Sequence, residues 1–300
     1  MRHFLATLDQ IAHADSVGTF EGVRRHLQWQ ARRLIGGFPC ELPLSQSRLR
    51  VTSPSGVSAL VNAMGEYDYN NMRFVRSFLE HSGGTFFDIG ANIGAYTLIA
   101  SEISGAKVVS MEPHPQTFAV LADNVRLNAR HNVTCLQVAV SDREGTIALT
   151  DGLESSLNHV LHDGEDAQDA IEVRSQRLET ICESTYVFPD VIKIDVEGHE
   201  PAVLCGLGRY RAAARAILVE GGDRLAIQDW MRTAGYSGPW FVHFNQAILA
   251  KRTQARAEDP IFVRGDLLPD PRSLDGGESC LDLSDLLKRD FRDRGVHTWP

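Results

Sequence analysis

From residue 85 onward, short apolar runs alternate with stretches in which apolar residues recur every three or four positions. Short apolar runs rich in β-branched residues are typical of buried strands, and the longer spacing is typical of helices. The pattern predicts strands over 85–89, 107–112, 133–140, 191–195, 216–220, 240–244 and 261–263. It predicts helices over 93–102, 115–129, 200–207 and 225–234. Because helices separate most of the strands, we expect right-handed crossovers and a mainly parallel sheet.

Two connections in this pattern differ from the rest. The last two strands are not separated by a long helix, so we expect them to pair antiparallel at the edge of the sheet. Residues 151–170 are rich in Asp and Gly, which predicts a loop or a mobile flap rather than a regular element.

The first 80 residues have a different texture, mostly helical with one hairpin. Apolar residues at helical spacing predict a stripe made of Leu5, Leu8, Ile11, Val23, Leu27 and Leu34. A hairpin is expected from 48–52 to 57–59, and a helix over 70–81 that ends at Gly83-Gly84. The chain thus divides into an N-terminal extension (1–80), a sheet domain (81–266) and a tail (267–300) with a short helix over 284–292.

Composition narrows the class of protein. Of the 300 residues, 43% are apolar and 23% are charged, as in ordinary globular proteins, and the net charge is −9. An acidic chain without a long Lys/Arg block is a poor match for a phosphate backbone, and no stretch approaches the roughly 18 apolar residues of a membrane span. The five cysteines include no Cys-x-x-Cys pair, which predicts reduced thiols in a cytoplasmic protein. We therefore expect neither a nucleic acid nor a membrane as partner.

A glycine turn follows the first strand of the sheet. Asp88 lies at the end of that strand, and Gly90 and Gly94 bracket the turn into the next helix. In doubly wound sheets, ligands bind at such carboxyl ends, and glycine lets the backbone approach them closely. A helix that begins near 92–93 would also direct free N–H groups toward the same place. The turn is therefore the first candidate for a binding site.

The spacing of this turn indicates the kind of ligand. Gly-x-x-x-Gly differs from the Gly-x-Gly-x-x-Gly of pyrophosphate binders, which disfavours a dinucleotide-dependent oxidoreductase. An acidic residue before the turn suits a cofactor with an ammonium group, such as S-adenosyl-L-methionine. Glu112 lies at the end of the next strand, where a carboxylate accepts hydrogen bonds from both hydroxyls of a ribose.

A dense polar cluster follows the fourth strand. Asp195, Glu197, His199 and Glu200 lie within six residues at its carboxyl end. Transfer of a methyl group from a sulfonium to a hydroxyl needs aligned reactants and a base for the hydroxyl proton. Asp195, Glu197 and His199 are candidates for these roles, and His243 is a weaker one. Glu200 also suits the first turn of a helix, because a carboxylate there favours the helix dipole.

The same carboxylates raise the alternative of a metal site. Asp195 and Glu197 would ligate a divalent ion together with Glu220, at the end of the neighbouring strand. No full ligand set is visible in the sequence, so we expect no metal.

These motifs together resemble those of the FkbM-type methyltransferases, a branch of the class I S-adenosylmethionine-dependent enzymes. The resemblance covers about 85–265, and the combination of segments is specific although each alone is weak to moderate. The segments are Phe87-Asp-Ile-Gly-Ala-Asn-Ile-Gly-Ala-Tyr-Thr97; Glu112-Pro-His-Pro115 with Phe118, Leu121, Asn124 and Asn128; Ala139-Val-Ser-Asp142 with Gly145; Ser155-Ser-Leu157; Lys193-Ile-Asp-Val-Glu-Gly-His-Glu200 with Leu204 and Gly206; and Leu218-Val-Glu220.

The resemblance implies an α/β fold with a Rossmann-like, seven-stranded, mostly parallel sheet whose last strand is antiparallel, here preceded by the helical and hairpin extension. It implies S-adenosyl-L-methionine as methyl donor and a hydroxyl of a small molecule, a sugar or a secondary metabolite, as acceptor. The implied cofactor contacts are Glu66, Asp88, Gly90, Ala91, Asn92, Gly94, Thr97, Glu112, Pro113, Ala139, Val140, Asp142 and Asp195. Relatives carry Tyr-Glu before the first strand, and here Glu66 or Asp68 would take that place. Asp195 and Glu197 would face the transferred methyl.

Two alternatives stay open at this point. One is N- or C-methylation of a small molecule or peptide, and the other is a cofactor-binding scaffold without turnover, against which the intact Asp195/Glu197 pair argues. The extension and the tail carry no family pattern. We expect them to form the acceptor lid or a contact between copies in a homo-oligomer.

Overall fold

The computed structural model describes residues 18–152, 158–161, 170–222, 224–242, 247–249, 259–267 and 280–282. Its helices are α1 (Thr19–Leu34), α2 (Gly56–Met64), α3 (Tyr69–Ser82), α4 (Ala95–Ser101), α5 (Pro115–Leu127), α6 (Leu178–Thr185), α7 (Glu200–Gly206) and α8 (Leu225–Thr233). Its strands are β1 (Cys40–Leu44), β2 (Ser47–Val51), β3 (Gly84–Ile89), β4 (Ala106–Met111), β5 (Val133–Leu136), β6 (Ala139–Val140), β7 (Gly145–Thr150), β8 (Ala170–Gln176), β9 (Val191–Ile194), β10 (Ala216–Val219), β11 (Tyr236–Val242), β12 (Ala247–Leu249), β13 (Ile261–Arg264) and β14 (Cys280–Asp282).

The main sheet contains nine strands within the described ranges, in the order β14-β12-β11-β13-β10-β9-β3-β4-β5. Strands β10, β9, β3, β4 and β5 pair in parallel, and β13 lies antiparallel between β10 and β11. The seven strands from β11 to β5 form the predicted Rossmann-like sheet with its antiparallel last strand, so the predicted fold class is confirmed. The expected antiparallel pairing of the last two predicted strands is present, although β12 and β14 extend the sheet beyond them.

Both faces of the sheet are buried. Phe86, Val191 and Leu218 face the apolar side chains of the N-terminal extension, and Phe87 and Ile192 face a second cluster around α6, α7 and α8. Alternate residues of each strand point to opposite faces, so a two-sided core makes the strands continuously apolar. The extension therefore shares one core with the sheet rather than forming a separate layer.

Two asparagines attach the extension to the sheet domain. Asn124 on α5 accepts the Arg50 N–H at 2.6 Å and donates to the Arg50 carbonyl at 3.1 Å, and Asn128 does the same for Arg48 at 2.8 and 2.7 Å. Each amide thus replaces a neighbouring strand for one residue of β2. An edge strand with unpaired backbone groups is costly when covered, and the amides remove that cost.

The hairpin prediction was wrong in position. The hairpin is β1–β2, and residues 57–59 lie in α2 instead. The Ser53-Pro-Ser-Gly56 segment looks like a turn, but Ser55 is the N-cap of α2, and its side chain accepts the Ser58 N–H in a capping box. Serine and glycine favour both turns and helix starts, so composition alone does not separate the two.

The helical stripe of the extension also differs from the prediction. The residues that α1 buries are Gly22, His26 and Trp29, whereas Leu27 and Leu34 are 54% and 88% exposed. The helix over 70–81 is confirmed as α3. The residues Leu5, Leu8 and Ile11, the helix predicted over 284–292, and His243 lie outside the described residues.

A small second sheet, in the order β6-β8-β7, was not predicted. The apolar run over 133–140 is not one strand, because β5 ends at Leu136 in the main sheet and β6 pairs with β8. Within the predicted flap, residues 158–161 lie beside β7, since the Thr150 N–H donates to the His159 carbonyl and Val160 forms an isolated bridge with Leu149. The rest of the predicted flap, residues 153–157 and 162–169, lies outside the described ranges.

Among the described residues, no helix is both long and apolar enough to cross a membrane. The four cysteines whose side chains are described form no disulfide.

Candidate active site

The carboxyl ends of β3, β4, β9 and β10 surround a cavity of about 340 Å³. The strand order reverses direction between β3 and β9, because the chain moves from β3 outward to β4 and later returns beside β3 as β9. Ligands of open α/β sheets bind at this switch point. The volume is at the lower end of the range of small-molecule sites.

The glycine turn forms the floor of the cavity. Gly90 has φ +79°, and a Cβ there would lie 1.8 Å from the Asp195 carbonyl oxygen. Only glycine therefore lets the end of β3 touch the end of β9. Gly94 has φ +94° and packs against Leu121, away from the cavity lining.

The N–H groups of residues 92 and 93, which the sequence predicted to be free, are already bonded. The helix begins at Ala95 rather than at 92–93. The Asn92 N–H donates to Glu112 Oε2 at 2.9 Å, and the Ile93 N–H donates to the Asn92 side chain at 2.8 Å. These backbone N–H groups therefore stabilise the turn itself and hold the Glu112 carboxylate in place.

Asp88 lies at the edge of the cavity and is 1% exposed. Its Oδ2 accepts the Thr97 hydroxyl at 2.6 Å, and Thr97 lies 2.7 Å from the Ser110 hydroxyl. Its Oδ1 is buried and has no hydrogen-bond partner among the described residues. Burial raises the pKa of Asp88, while the nearby Lys193 ammonium lowers it in part. A buried carboxylate oxygen without a donor is costly, so this atom suits a donor that arrives with a ligand.

Glu112 is fixed by backbone donors on both sides. Its Oε2 accepts the Asn92 N–H, and its Oε1 accepts the His114 N–H at 3.0 Å. Each carboxylate oxygen keeps a second lone pair for a ligand hydroxyl. Burial raises the pKa of Glu112 to about 7, although the two N–H groups lower it in part.

A buried lysine on β9 also lines the cavity. Lys193 is 3% exposed, donates to Asp195 Oδ2 at 2.6 Å, and lies 4.9 Å from the centre of the Tyr96 ring. In the register of the parallel β9–β3 pair, Lys193 lies opposite Asp88, so both side chains point to the same face of the sheet. Burial alone would raise the pKa of Asp195, but the Lys193 charge and hydrogen bond outweigh it and hold that pKa below its usual value.

Two further carboxylates complete the Asp195 cluster, which we define as Asp195, Glu197 and Glu220. One oxygen from each lies within 4.8 Å of the others. Burial and the charge of Asp195 raise the pKa of Glu220 to about 9, so Glu220 keeps its proton at neutral pH and donates it to Asp195. Burial and the same charge raise the pKa of Glu197. The lowered and raised pKa values within one cluster are the arrangement that acid–base sites use.

His199 connects two walls of the site. Its ring Nε2 lies 2.9 Å from the hydroxyl of Ser141, which follows β6. Glu200 is fully buried and its Oε1 accepts the Gly198 N–H at 2.9 Å. These contacts hold the loop after β9 against the loop after β6, so His199 lies where it can position both.

The N-terminal extension supplies the remaining wall. Tyr67 and Asp68 line the cavity, and the Tyr96 hydroxyl donates to Asp68. Glu66 points away and pairs with Arg76 at 3.1 Å. Of the two residues considered for this position, the structure brings Asp68 to the cavity and not Glu66.

Most of the sequence-predicted site residues meet at this cavity. Those that line it are Asp88, Gly90, Ala91, Asn92, Glu112, Pro113, Ala139, Val140, Asp195, Glu197 and His199. Those that lie outside its lining are Glu66, Gly94, Thr97 and Asp142. Thr97 acts from behind Asp88, and Asp142 is exposed and pairs with Arg143 at 3.1 Å.

Sequence reasoning missed the role of Lys193, Tyr96, His159 and Asp259, all of which line the cavity. One signal was available for Lys193: a charged residue at a core-facing position of an apolar strand is costly without a partner. The others depend on contacts between segments that are distant in sequence.

The lining is strongly acidic. Seven carboxyl groups, of which Glu220 keeps its proton, line the cavity with one ammonium, that of Lys193, among the lining residues described: Asp68, Asp88, Glu112, Asp195, Glu197, Glu220 and Asp259. Such a surface attracts cations and repels free anions. A sulfonium with an adjacent ammonium group fits this charge.

Sheet order, a switch-point cavity and acidic strand ends are the features expected of a Rossmann-like methyltransferase. The chain belongs to the FkbM methyltransferase family, since residues 88–237 match the family model described as "Methyltransferase FkbM domain". It is therefore an S-adenosylmethionine-dependent methyltransferase of that family. The matched segment includes Asp88, Glu112 and the Asp195 cluster.

The chain is similar to methyltransferases from three different organisms. The hexuronic acid methyltransferase AglP of Haloferax volcanii is 28% identical over 178 residues, which cover 58% of this chain and 70% of that protein. The 31-O-demethyl-FK506 methyltransferase FkbM of Streptomyces tacrolimicus is 31% identical over 194 residues, 51% of this chain and 74% of that protein. The methyltransferase sdnD of Sordaria araneosa is 29% identical over 186 residues, 50% and 72%.

Proposed function

We propose that this chain binds S-adenosyl-L-methionine in the cavity and methylates a hydroxyl of a small molecule, a sugar or a secondary metabolite. The observation that carries the proposal is that two carboxyl groups with different hydrogen-bond partners line the same cavity. Asp88 has a buried oxygen to which no described residue donates, and Asp195 is kept ionised by Lys193.

The cofactor half of the proposal rests on Asp88 and Glu112. The amino group of the methionine part would donate to Asp88 Oδ1, and the ribose hydroxyls would donate to the remaining lone pairs of Glu112. Ala139 and Val140 offer an apolar wall for the adenine. When bound, the cofactor supplies an electrophilic methyl group on a positively charged sulfur.

The catalytic half rests on Asp195. Its carboxylate accepts a hydrogen bond from the acceptor hydroxyl and holds the oxygen in line with the methyl group. Attack of the acceptor oxygen on the methyl group would make the hydroxyl strongly acidic, and Asp195 would take its proton while the sulfur leaves as a neutral thioether. A carboxylate with a lowered pKa is sufficient for this step, because the proton leaves an oxygen that is gaining positive charge.

Lys193 and Glu220 maintain the charge state that this step needs. The Lys193 ammonium keeps Asp195 ionised, and the proton on Glu220 prevents a second negative charge from opposing it. Glu197 and His199 lie at the same edge and would orient the acceptor.

A hydroxyl acceptor is also consistent with the relatives. The Streptomyces relative's name specifies methylation at an oxygen, and the Haloferax relative's name specifies a hexuronic acid. A base beside the methyl position is needed for a hydroxyl, whereas a neutral amine needs none. The Asp195 cluster therefore favours oxygen over nitrogen as the accepting atom.

The test is methyl transfer from S-[methyl-³H]adenosylmethionine to a panel of monosaccharides, uronic acids, macrolides, amines and short peptides. We expect labelled products that survive mild alkali, because methyl ethers resist base while methyl esters are cleaved. Labelling confined to amines or peptides, or to base-labile esters, would contradict methylation of a hydroxyl.

A further inference from the structure

The side chain of Asn158 carries a buried hydrogen-bond donor that the described residues leave unused. Its Oδ1 accepts the Gly152 N–H at 2.7 Å. An N–H can be accepted only by the oxygen of an amide side chain, so this bond fixes which way the side chain is turned. Its Nδ2 is enclosed and has no hydrogen-bond partner among the described residues. A buried amide nitrogen without an acceptor is costly, so Nδ2 suits an acceptor that arrives with a ligand.

Asn158 lines the cavity next to an apolar surface. Val160 follows it by two residues, forms a bridge with Leu149, and packs with Leu149 and Ala139 in one apolar cluster. All four residues line the cavity. The wall proposed for the adenine therefore continues from Ala139 through Leu149 and Val160, and Asn158 adds an amide donor beside it.

The segment that holds Asn158 is also connected to Glu112. The Asp151 carboxylate lies 2.9 Å from His114 Nε2, and the His114 N–H donates to Glu112. Asp151 directly precedes Gly152, to which Asn158 is bonded. Asn158 is thus attached both to the apolar wall and to the segment that carries the carboxylate proposed for the ribose. In adenosine the base is bonded directly to the ribose, so these are the surroundings expected for the base.

We propose that Asn158 recognises the adenine of the methyl donor by donating a hydrogen bond from Nδ2 to a ring nitrogen of the base. This inference rests on the proposed binding of S-adenosyl-L-methionine in the cavity. Adenine has two apolar faces, and its ring nitrogens N1, N3 and N7 accept hydrogen bonds at its edge. An apolar wall with a fixed amide donor beside it matches both features. Asn158 is then a residue that determines specificity for the nucleobase.

Calorimetric titration with S-adenosyl-L-homocysteine and its 1-deaza, 3-deaza and 7-deaza analogues tests this contact. Each analogue replaces one ring nitrogen by a C–H group, which cannot accept a hydrogen bond. We expect the wild type to bind one of the three analogues about 10-fold more weakly than the parent compound, because the buried donor then stays without an acceptor.

Two variants assign that discrimination to Asn158. Asn158→Asp keeps an oxygen for the Gly152 N–H and replaces the donor, whereas Asn158→Ala removes the whole amide. Each should bind the parent compound about 10-fold more weakly and should no longer distinguish it from that analogue. Gln137→Glu is the control for the added charge, because Gln137 is exposed between β5 and β6 and does not line the cavity. It should bind all four compounds as the wild type does.

The titrations separate failure of this contact from failure of the proposed function. If both Asn158 variants weaken the parent compound and all three analogues by the same factor, Asn158 only supports its loop and the proposal is wrong. It is also wrong if the wild type binds all three analogues as tightly as the parent compound. If the wild type does not bind the parent compound at all, the proposed cofactor site is wrong and this inference falls with it.

Discussion

The two sides of the cavity hold their charges in different ways. On the cofactor side, Glu112 is fixed by two backbone N–H groups and Asp88 by the Thr97 hydroxyl. On the acceptor side, Lys193, Asp195 and Glu220 hold one another, and each sets the protonation of the next. Glu112 is held by backbone groups that no substitution removes, whereas the acceptor side depends throughout on side chains that can each be removed.

This difference separates binding from chemistry. Changes on the cofactor side should alter affinity for the methyl donor, since they remove fixed hydrogen-bond acceptors. Changes on the acceptor side should alter turnover and its pH dependence, since they change which groups are ionised.

The largest effect is expected on the acceptor side, from Asp195→Asn. The amide cannot take the hydroxyl proton, so methyl transfer should fall by about 10²–10⁴-fold. Affinity for S-adenosyl-L-methionine should change by less than about 3-fold, because Asp195 acts on the acceptor. Single-turnover transfer of labelled methyl and calorimetric titration measure the two separately. Asp123→Asn, on the exposed surface of α5, is the control, and an Asp195→Asn enzyme with near-normal turnover would remove Asp195 as the base.

Gly90→Ala should damage both sides at once, because Gly90 is where the ends of β3 and β9 meet. The new Cβ would collide with the Asp195 carbonyl at a positive φ, which we expect to lower the free energy of unfolding by about 3 kcal/mol or more. Gly105→Ala is the matched control, since Gly105 has φ +83° but open space around it. Its cost should be about 1 kcal/mol. Urea denaturation measures the free energy of unfolding of both variants. Equal losses would contradict the collision, because they would mean that the positive φ alone accounts for the cost.

On the cofactor side, Glu112 should make stability depend on pH. Its folded pKa of about 7 lies above the ordinary value of 4.5. Between these values the unfolded chain has released the proton that the folded chain keeps, so rising pH favours unfolding. Relative to wild type, Glu112→Gln should gain about 2 kcal/mol between about pH 5 and pH 7.5. Denaturation of both proteins without cofactor tests this, and a pH-independent difference would contradict it.

The smallest shift should come from Lys193→Met. Without the ammonium, burial is opposed only by the hydrogen bond from Glu220, and the pKa of Asp195 rises. The base must be ionised to accept a proton, so activity is lost as pH falls through that pKa. The acid limb of the kcat profile should therefore move up by about one pH unit. Lys107→Met, an exposed lysine on β4, should leave the limb in place. A lower kcat with an unmoved limb would reduce Lys193 to a packing role.

Local sequence patterns predict some of the site residues and most of the sheet. Asp88, Gly90 and Glu112 were predicted because strand ends and glycine turns are local patterns, and the seven strands follow from apolar runs. Asp195 and Glu197 were predicted for the same reason, as acidic residues directly after a strand, and Glu220 was considered only as a metal ligand at the end of the neighbouring strand.

Contacts between distant segments were not predictable in this way. The Thr97–Ser110 support behind Asp88, the His199–Ser141 link and the Lys193–Tyr96 contact each join residues that are far apart in sequence. The β7–β8 pair was missed because its strands are separated by a polar segment without regular pattern. The hairpin was misplaced because Ser55 could cap a helix or begin a turn, and only packing of α2 on α1 decides which.

The most direct measurement is calorimetric titration of the wild-type chain with S-adenosyl-L-methionine, beside Asp88→Asn and the exposed control Asp229→Asn. The wild type and the control should bind one equivalent with the same affinity. Asp88→Asn should bind about 10- to 100-fold more weakly, since it loses a charged acceptor for the cofactor's amino group. No binding by the wild type, or equal binding by all three proteins, would contradict the assignment of the cavity.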